Sequence, residues 1–277
     1  LKADTQGRIK AVLTVLVDTS TGIKNDIKGV RCALDAAGHD ALLMCDCIAS
    51  LGCDPYYMDD WGVDVTVAAS QKGLMTPPGI GFVWFNDKAD NVRGAMPRVS
   101  SYWDWRPRVN AEEYYRFFNG TAPTHHIYGL REALDMIGEE GLETVWARHE
   151  GLARAVWAAI DIWSSGGPMQ INVANPISRS HAVTSLRLDE GQGDALRAWC
   201  EEKMGVTLGV GLKRSPSSAF FRFGHMGHVS GHMVMGLLGT VDAGLKALGI
   251  PHGAGALEAA SAVLADLAGA EISQSKV

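Results

Sequence analysis

Paired cysteines, long apolar runs, blocks of positive charge and internal repeats are all missing from this 277-residue sequence, and each absence removes a class of protein. The five cysteines (Cys32, Cys45, Cys47, Cys53 and Cys200) form an odd set with no CxxC pair, so they read as reduced thiols and not as a disulfide framework. Cys45 and Cys47 stand two apart in an apolar run and are expected as small buried residues on one strand face, with a metal site as the alternative. No uninterrupted apolar segment reaches the roughly 18 to 20 residues that a membrane-crossing helix needs, and residues 1–10 (LKADTQGRIK) hold no signal-like apolar core. No membrane partner and a cytoplasmic location are the resulting expectations. With 25 Lys+Arg against 31 Asp+Glu, a net charge of -6 and no basic block, no nucleic-acid partner is expected, because phosphate backbones call for clustered cations. Asn119-Gly120-Thr121 matches a glycosylation sequon, read as a chance match in a reduced chain. The chain does not begin with Met, and its polar opening runs at once into a strand, which reads as a fragment of a longer protein.

What is present is globular. A content of 47% hydrophobic and 20% charged residues excludes disorder and collagen, and a chain of this length most often divides into two domains. The first half alternates strand-like AVLTVLV (11–17), a helical pattern over 26–37, ALLMCDC (41–47), VDVTVAAS (63–70) and IGFVWF (80–85). Nearly continuous apolar strands of this kind suit a mostly parallel α/β sheet covered by helices on both faces. Residues 86–124, punctuated by Pro97, Pro107, Gly120 and Pro123, read as a long irregular crossing. Helical patterns over 125–138 and 141–164 follow, then a strand over 181–188, a helix over 192–204, a strand over 218–223 and helices over 231–248 and 255–268. The expected division is a large domain over 1–140 and a smaller α+β domain over 141–277.

Four features stand out as candidate chemistry. Lys72 closes an apolar strand in SQKGL; such a lysine either reaches solvent or lies at the carboxyl rim of a covered sheet, where partial desolvation favours a nucleophilic amine. Asp46 ends the apolar run ALLMCDC with no basic residue beside it, so it either caps the following turn or meets a cation from outside the chain. Arg222 lies among three phenylalanines in FFRF, where it either snorkels or pairs with a carboxylate, a substrate's included. His225, His228 and His232 have the spacing of one helix face, but Gly224, Gly227 and Gly231 interrupt them and no HExxH carboxylate accompanies them. No resident metal is expected. GVTLGVGL lacks the following GK[ST] of a phosphate-binding P-loop.

Asp46, then Lys72 twenty-six residues later in SQKGLMTPPG, the earlier DTSTG (18–22) and the later FRFGHMG together resemble the class V aminotransferases, in particular the glyoxylate-using branch. The resemblance runs over nearly the whole chain and includes LREAL (130–134) and IPHGAGALEAA (250–260). It implies the fold of the fold-type I pyridoxal-phosphate enzymes, working as a homodimer on small amino-acid and 2-oxo-acid substrates. Lys72 would hold pyridoxal 5'-phosphate through its amine, and Asp46 would pair with the ring nitrogen. Ile48 would pack on one ring face, Thr19 would bond near the ring hydroxyl and Gln71 would bind the phosphate. Thr121 in FNGTAP would reach the phosphate of the partner subunit, and Arg222 would clamp the substrate α-carboxylate. These roles suit transamination, which needs an amine, a proton carrier, an electron sink and a carboxylate clamp. The amino donor would be serine, alanine or aspartate and the acceptor glyoxylate, giving glycine.

Two departures accompany the resemblance. Phe118 stands where relatives often carry a tyrosine beside the phosphate, and relatives begin well upstream, in a segment with a glycine-rich phosphate loop. Arg106 and Arg108 in SSYWDWRPR (100–108) would either bind a second carboxylate, favouring aspartate as donor, or stack on Trp103 or Trp105. The alternatives to transamination are another class V reaction of lyase or desulfurase type, a metal-dependent hydrolase or metal-binding module built on the histidines, and a catalytically silent scaffold. A desulfurase would need a mobile cysteine, whereas Cys45, Cys47 and Cys53 lie in or beside a strand and Cys200 lies in a helix.

Overall fold

The computed structural model describes residues 1–109 and 111–274; residue 110, within the expected crossing, and residues 275–277, within the expected second domain, lie outside the described residues. The chain opens with β1 (Ala11–Val15), then turns through β2 (Val17–Asp18) and β3 (Ile23–Lys24), which pair with each other as a small hairpin. The run 11–17 is therefore two strands and not one. At Leu16 the backbone N–H donates to Asp46 O at 2.9 Å, and beyond it the chain leaves the main sheet. Helix α1 (Ile27–Ala36) starts at Asp26, whose carboxylate accepts the Gly29 N–H at 2.8 Å and so satisfies one free donor of the first turn. β4 (Leu42–Asp46), β5 (Val65–Ala69) and β6 (Gly81–Phe85) complete a four-stranded sheet of order β1-β4-β5-β6, parallel except for β6.

Alternation along β4 decides what each face touches. Leu43 and Cys45 join Leu16, Ile27 and Leu34 on the α1 face, whereas Leu42 and Met44 join Val65, Phe85 and Ala89 on the other. Ala89 belongs to α2 (Asp87–Ala95), a helix inside the stretch read from sequence as irregular. Ala89 is its buried residue, so no apolar stripe announces it. It is set instead by its ends: Asn86 accepts the Ala89 N–H at 3.0 Å, and Asp87 and Asp90 sit in the first turn, where the helix dipole favours anions. Short 3₁₀ turns over 106–108 and 114–118 occupy much of the rest of that stretch.

Helices α3 (Thr124–Glu140) and α4 (Leu142–Ser165) lead to a second four-stranded sheet. It comprises β7 (Gln170–Ile171), β8 (Val183–Arg187), β9 (Gly209–Val210) and β10 (Phe220–Gly224), in the order β7-β8-β10-β9, all antiparallel. Helix α5 (Gln192–Met204) falls between β8 and β9, and α6 (Gly231–Ala247) and α7 (Ala256–Gln274) close the chain. Leu186, Phe221 and Phe223 face a core shared with Ile160 and Trp163 of α4 and Leu238 and Leu245 of α6. Among the described residues no helix is long and apolar enough to cross a membrane.

Candidate active site

Two parallel strands end side by side at the carboxyl rim of the first sheet. Asp46 is the last residue of β4 and stands opposite Val67 of β5. It is half-buried, and its Oδ1 accepts the Ile48 N–H at 2.8 Å. One oxygen thus caps the turn, as one sequence reading had it, and among the described residues no hydrogen bond reaches the other. The turn continues through Leu51 N–H to Cys47 O (2.9 Å) and Asp54 N–H to Ser50 O (2.9 Å).

β5 runs into a tight loop whose hydrogen bonds converge on Ser70. Its N–H donates to Ile80 O (3.1 Å), its hydroxyl donates to Pro77 O (3.0 Å), and its carbonyl accepts the Thr76 hydroxyl (3.1 Å). Lys72, half-buried, begins the inner turn: its carbonyl accepts the Met75 N–H at 3.0 Å, with Met75 at φ 61°. Gly73 is required here because a Cβ would stand 2.1 Å from Leu51 O and 2.9 Å from Cys53 Sγ. From the other side Gly227, at φ 84°, leaves only 3.4 Å between a notional Cβ and Lys72 O. Gly227 is itself held from α4: its N–H donates to His149 Nε2 (3.0 Å) and its carbonyl accepts Arg148 Nη1 (3.1 Å). His149 Nδ1 donates to Val145 O at 2.7 Å, and burial holds its pKa below the usual imidazole range, consistent with the neutral acceptor that this geometry needs.

Arg222 lies mid-strand in β10. Its Nε donates to Val210 O (2.8 Å) and its Nη1 to Thr19 O (2.9 Å), so the structure brings Arg222 and Thr19 together through the Thr19 carbonyl. Gly209, its cross-strand neighbour, makes room: a Cβ there would stand 3.3 Å from Arg222 Cβ. Burial lowers the guanidinium pKa while the nearby Asp18 opposes that shift. Asp18 also shapes the Thr19 loop, with Oδ1 accepting Ser20 N–H (2.9 Å) and Oδ2 accepting the Thr21 hydroxyl (2.8 Å). Ile48 is the turn partner of Asp46, Gln71 is exposed beside Lys72, and Thr121 is exposed on the loop before α3. Among the described residues no hydrogen bond joins Gln71 or Thr121 to the rest of this group.

The histidines, Arg106 and the thiols find their partners in the structure, and for Arg106 the sequence reading changes. The histidines do not converge. His225 is fully buried, Nδ1 donates to His181 O (2.8 Å) and Nε2 accepts the Thr184 hydroxyl (2.9 Å), which in turn accepts Trp157 Nε1–H (3.0 Å). Burial pushes its pKa down to about 4, while His228 and His232 are exposed, and among the described residues no three His, Cys, Asp or Glu side chains group as metal ligands. Arg106 neither stacks on a tryptophan nor stands free. It pairs with Asp90, Nε to Oδ1 and Nη2 to Oδ2 both at 3.0 Å, and Arg108 lies over the Tyr102 ring at 5.2 Å. The thiols are buried except for Cys32; Cys45 and Cys47 lie 3.6 Å apart, and burial pushes Cys53 up to about 12 and Cys200 up to about 11. Asp54 and His149 were missed. Asp54 follows an apolar stretch in LGCDP, and that contrast was the one signal it offered.

A family model described as aminotransferase class-V matches residues 1–235. An L-aspartate–glyoxylate aminotransferase of Paracoccus denitrificans is 36% identical over 254 residues, which cover 91% of this chain and 62% of that protein. A serine–glyoxylate aminotransferase of Arabidopsis thaliana is 34% identical over 253 residues, with coverage of 91% and 62%. The chain therefore spans a little under two thirds of the length of these relatives. The crystal structure of pyridoxamine-pyruvate aminotransferase from Mesorhizobium loti superposes with a TM-score of 0.84 at 27% identity, covering 96% of this chain and 67% of that one. The ureidoglycine-glyoxylate aminotransferase of Bacillus subtilis superposes with a TM-score of 0.82 at 26% identity, over 95% and 67%.

Proposed function

The chain belongs to the class-V aminotransferase family, and from that premise we propose that it passes the amino group of serine, alanine or aspartate to glyoxylate, giving glycine and a 2-oxo acid, with pyridoxal 5'-phosphate as cofactor. The observation that carries the reading is the placing of an amine and a carboxylate at the same rim, Lys72 beyond β5 and Asp46 at the end of the adjacent parallel β4.

The donor set suits this cofactor. Asp46 keeps one oxygen free of the turn for a protonated ring nitrogen, and Lys72 supplies the amine. When bound, the cofactor supplies an aldehyde that takes up amino groups and a ring that accepts the electron pair of the breaking C–H bond. Asp46 would keep the ring nitrogen protonated by its charge. Lys72 would hold the cofactor and, with its amine free, would carry a proton at the substrate α-carbon. Arg222, already braced by Val210 O and Thr19 O, presents its remaining N–H groups to the α-carboxylate and so orients the bond to be broken. Thr19 would bond near the ring hydroxyl, Ile48 would cover one ring face and Gln71 would bind the phosphate. Thr121 would reach the phosphate in the partner subunit of a homodimer. The division into domains falls at 140/141, between α3 and α4. A desulfurase, which needs a mobile cysteine, is disfavoured because Cys45, Cys47, Cys53 and Cys200 are buried and Cys32 is held within α1.

Borohydride reduction of the full-length protein purified with pyridoxal phosphate, followed by peptide mass spectrometry, tests the reading. A phosphopyridoxyl group on Lys72 is the expected result. Unmodified Lys72 in folded, cofactor-supplemented protein overturns it. Product analysis with serine, alanine and aspartate then separates transamination from elimination and identifies the donor.

A further inference from the structure

Asp54 has no part in the roles above, yet its carboxylate is completely buried, at 0% exposure, on the turn that follows Asp46. Oδ2 accepts the Ser180 hydroxyl at 3.0 Å and Oδ1 accepts the His181 N–H at 3.1 Å. Lys24 Nζ stands 3.5 Å and His181 Nδ1 3.6 Å from Oδ1. A carboxylate out of water is unfavourable unless donors and an opposite charge surround it, and removing one partner of such a set leaves the others uncompensated.

Each partner stands on an element that carries part of the site. Leu51 and Cys53, on the same turn as Asp54, clasp Gly73 next to Lys72. Lys24 lies on β3, and the pairing of β3 with β2 closes the loop whose Thr19 carbonyl holds Arg222. Ser180 and His181 lead directly into β8, where Ser185 stands opposite Arg222 of β10. Ser180 also donates its N–H to Gly22 O of the Thr19 loop at 3.1 Å. From one carboxylate, then, one route runs to the Lys72 turn and two routes, cross-linked by Ser180 and Gly22, run to Arg222.

We propose that Asp54 is a positioning residue that sets the spacing between the Lys72 turn and the Arg222 guanidinium, acting through Lys24 and the Thr19 loop on one side and through Ser180, His181 and β8 on the other. The inference rests on the aminotransferase reading, in which a substrate held by Arg222 must present its α-carbon to Lys72. Displacement of a reacting group by about 1 Å costs on the order of 100-fold in rate, so the spacing is felt in catalysis even though Asp54 touches neither substrate nor cofactor.

The test compares the full-length holoenzyme with its D54N, K24M and K24R variants. Each is measured for phosphopyridoxyl labelling of Lys72, for thermal unfolding, and for KM and kcat with the amino donor. Asp54→Asn keeps an acceptor for Ser180 and His181 but removes the charge that faces Lys24. Parent and variants are expected to be labelled in full, with kcat per labelled site lowered about tenfold in D54N and K24M and restored to within about twofold in K24R. A merely structural role would lower the folded, labelled fraction and leave kcat per labelled site as it was. Unchanged kcat per labelled site in D54N overturns the proposal, and if D54N fails to fold, unchanged kcat in labelled K24M does so. A parent that takes no label on Lys72 overturns the aminotransferase reading itself and this inference with it.

Discussion

Asp46 and Lys72 leave the first sheet at the carboxyl ends of adjacent parallel strands, whereas Arg222 stands in the middle of an antiparallel strand of the second. In a parallel sheet every strand delivers its following turn to the same rim, so two groups twenty-six residues apart are carried to that rim, Asp46 as the last ladder residue of β4 and Lys72 in the turn beyond β5. An antiparallel sheet sends successive ends to opposite rims, and Arg222 reaches the site from a sheet face instead. The supports differ accordingly. Lys72 depends on Gly73 and Gly227, which let turns approach at backbone distance, and Arg222 depends on Gly209, which leaves its cross-strand neighbour without a side chain. Turn residues can be displaced when substrate arrives, but a strand residue cannot move without its ladder. A proton carrier belongs on the first kind of support and a carboxylate clamp on the second.

Substitutions can break or sharpen this contrast. The largest effect is expected at the strand end: Lys72→Ala should lower kcat by about 10⁴-fold, the upper range for a lost acid-base group, in protein whose unfolding transition is unchanged. At mid-strand, Arg222→Lys should raise KM for the amino acid by about 100-fold with a smaller change in kcat, because an ammonium keeps the charge but loses the fork. The opposite split at the two positions, KM at Lys72 and kcat at Arg222, would break the comparison.

The third effect concerns stability in the second sheet. His225 is neutral in the fold with its pKa pushed down to about 4, while unfolded histidine takes up a proton below about 6.5. Below 6.5 the unfolded state therefore binds more protons, and stability is lost as pH falls through the window from 6.5 to 4. The loss should be on the order of 1 kcal/mol per pH unit, read as a falling urea midpoint, and His225→Gln should make it shallower, with His149 and His181, also held down by burial, supplying the rest. The smallest effect is expected at Arg106, which is held by Asp90: Arg106→Gln should change KM for aspartate by about twofold or less, as for an exposed ion pair outside the site. A large rise would restore the second-carboxylate reading.

Much of the fold was legible because burial writes itself into period. β4 and β5 are short apolar runs, and α4 repeats buried Val145, Leu152, Val156, Ile160 and Trp163 along one stripe. Helix α2 was not legible, since DKADNVRGA buries one alanine and is set by its cap and its acidic first turn. In the site, Asp46, Lys72 and Arg222 each stood out as a charge set in apolar sequence. Arg106 stood out in the same way and misled, because its partner Asp90 lies sixteen residues back in the helix that the pattern concealed. Asp54 was missed because Ser180 lies 126 residues away and Lys24 falls in a different element.

The sequence by itself determined which apolar-periodic segments become strands and helices, and which charges could not rest quietly in apolar surroundings. These are local matters, set by side-chain period, caps and the cost of desolvating a charge. Tertiary structure alone decided that His225 is a satisfied core residue, that Arg106 is taken by Asp90, and that buried Asp54 meets Ser180, His181 and Lys24. Each depends on which distant partner folding brings within about 3 Å, and hydrogen bonds of that reach leave no trace in the spacing of residues along the chain.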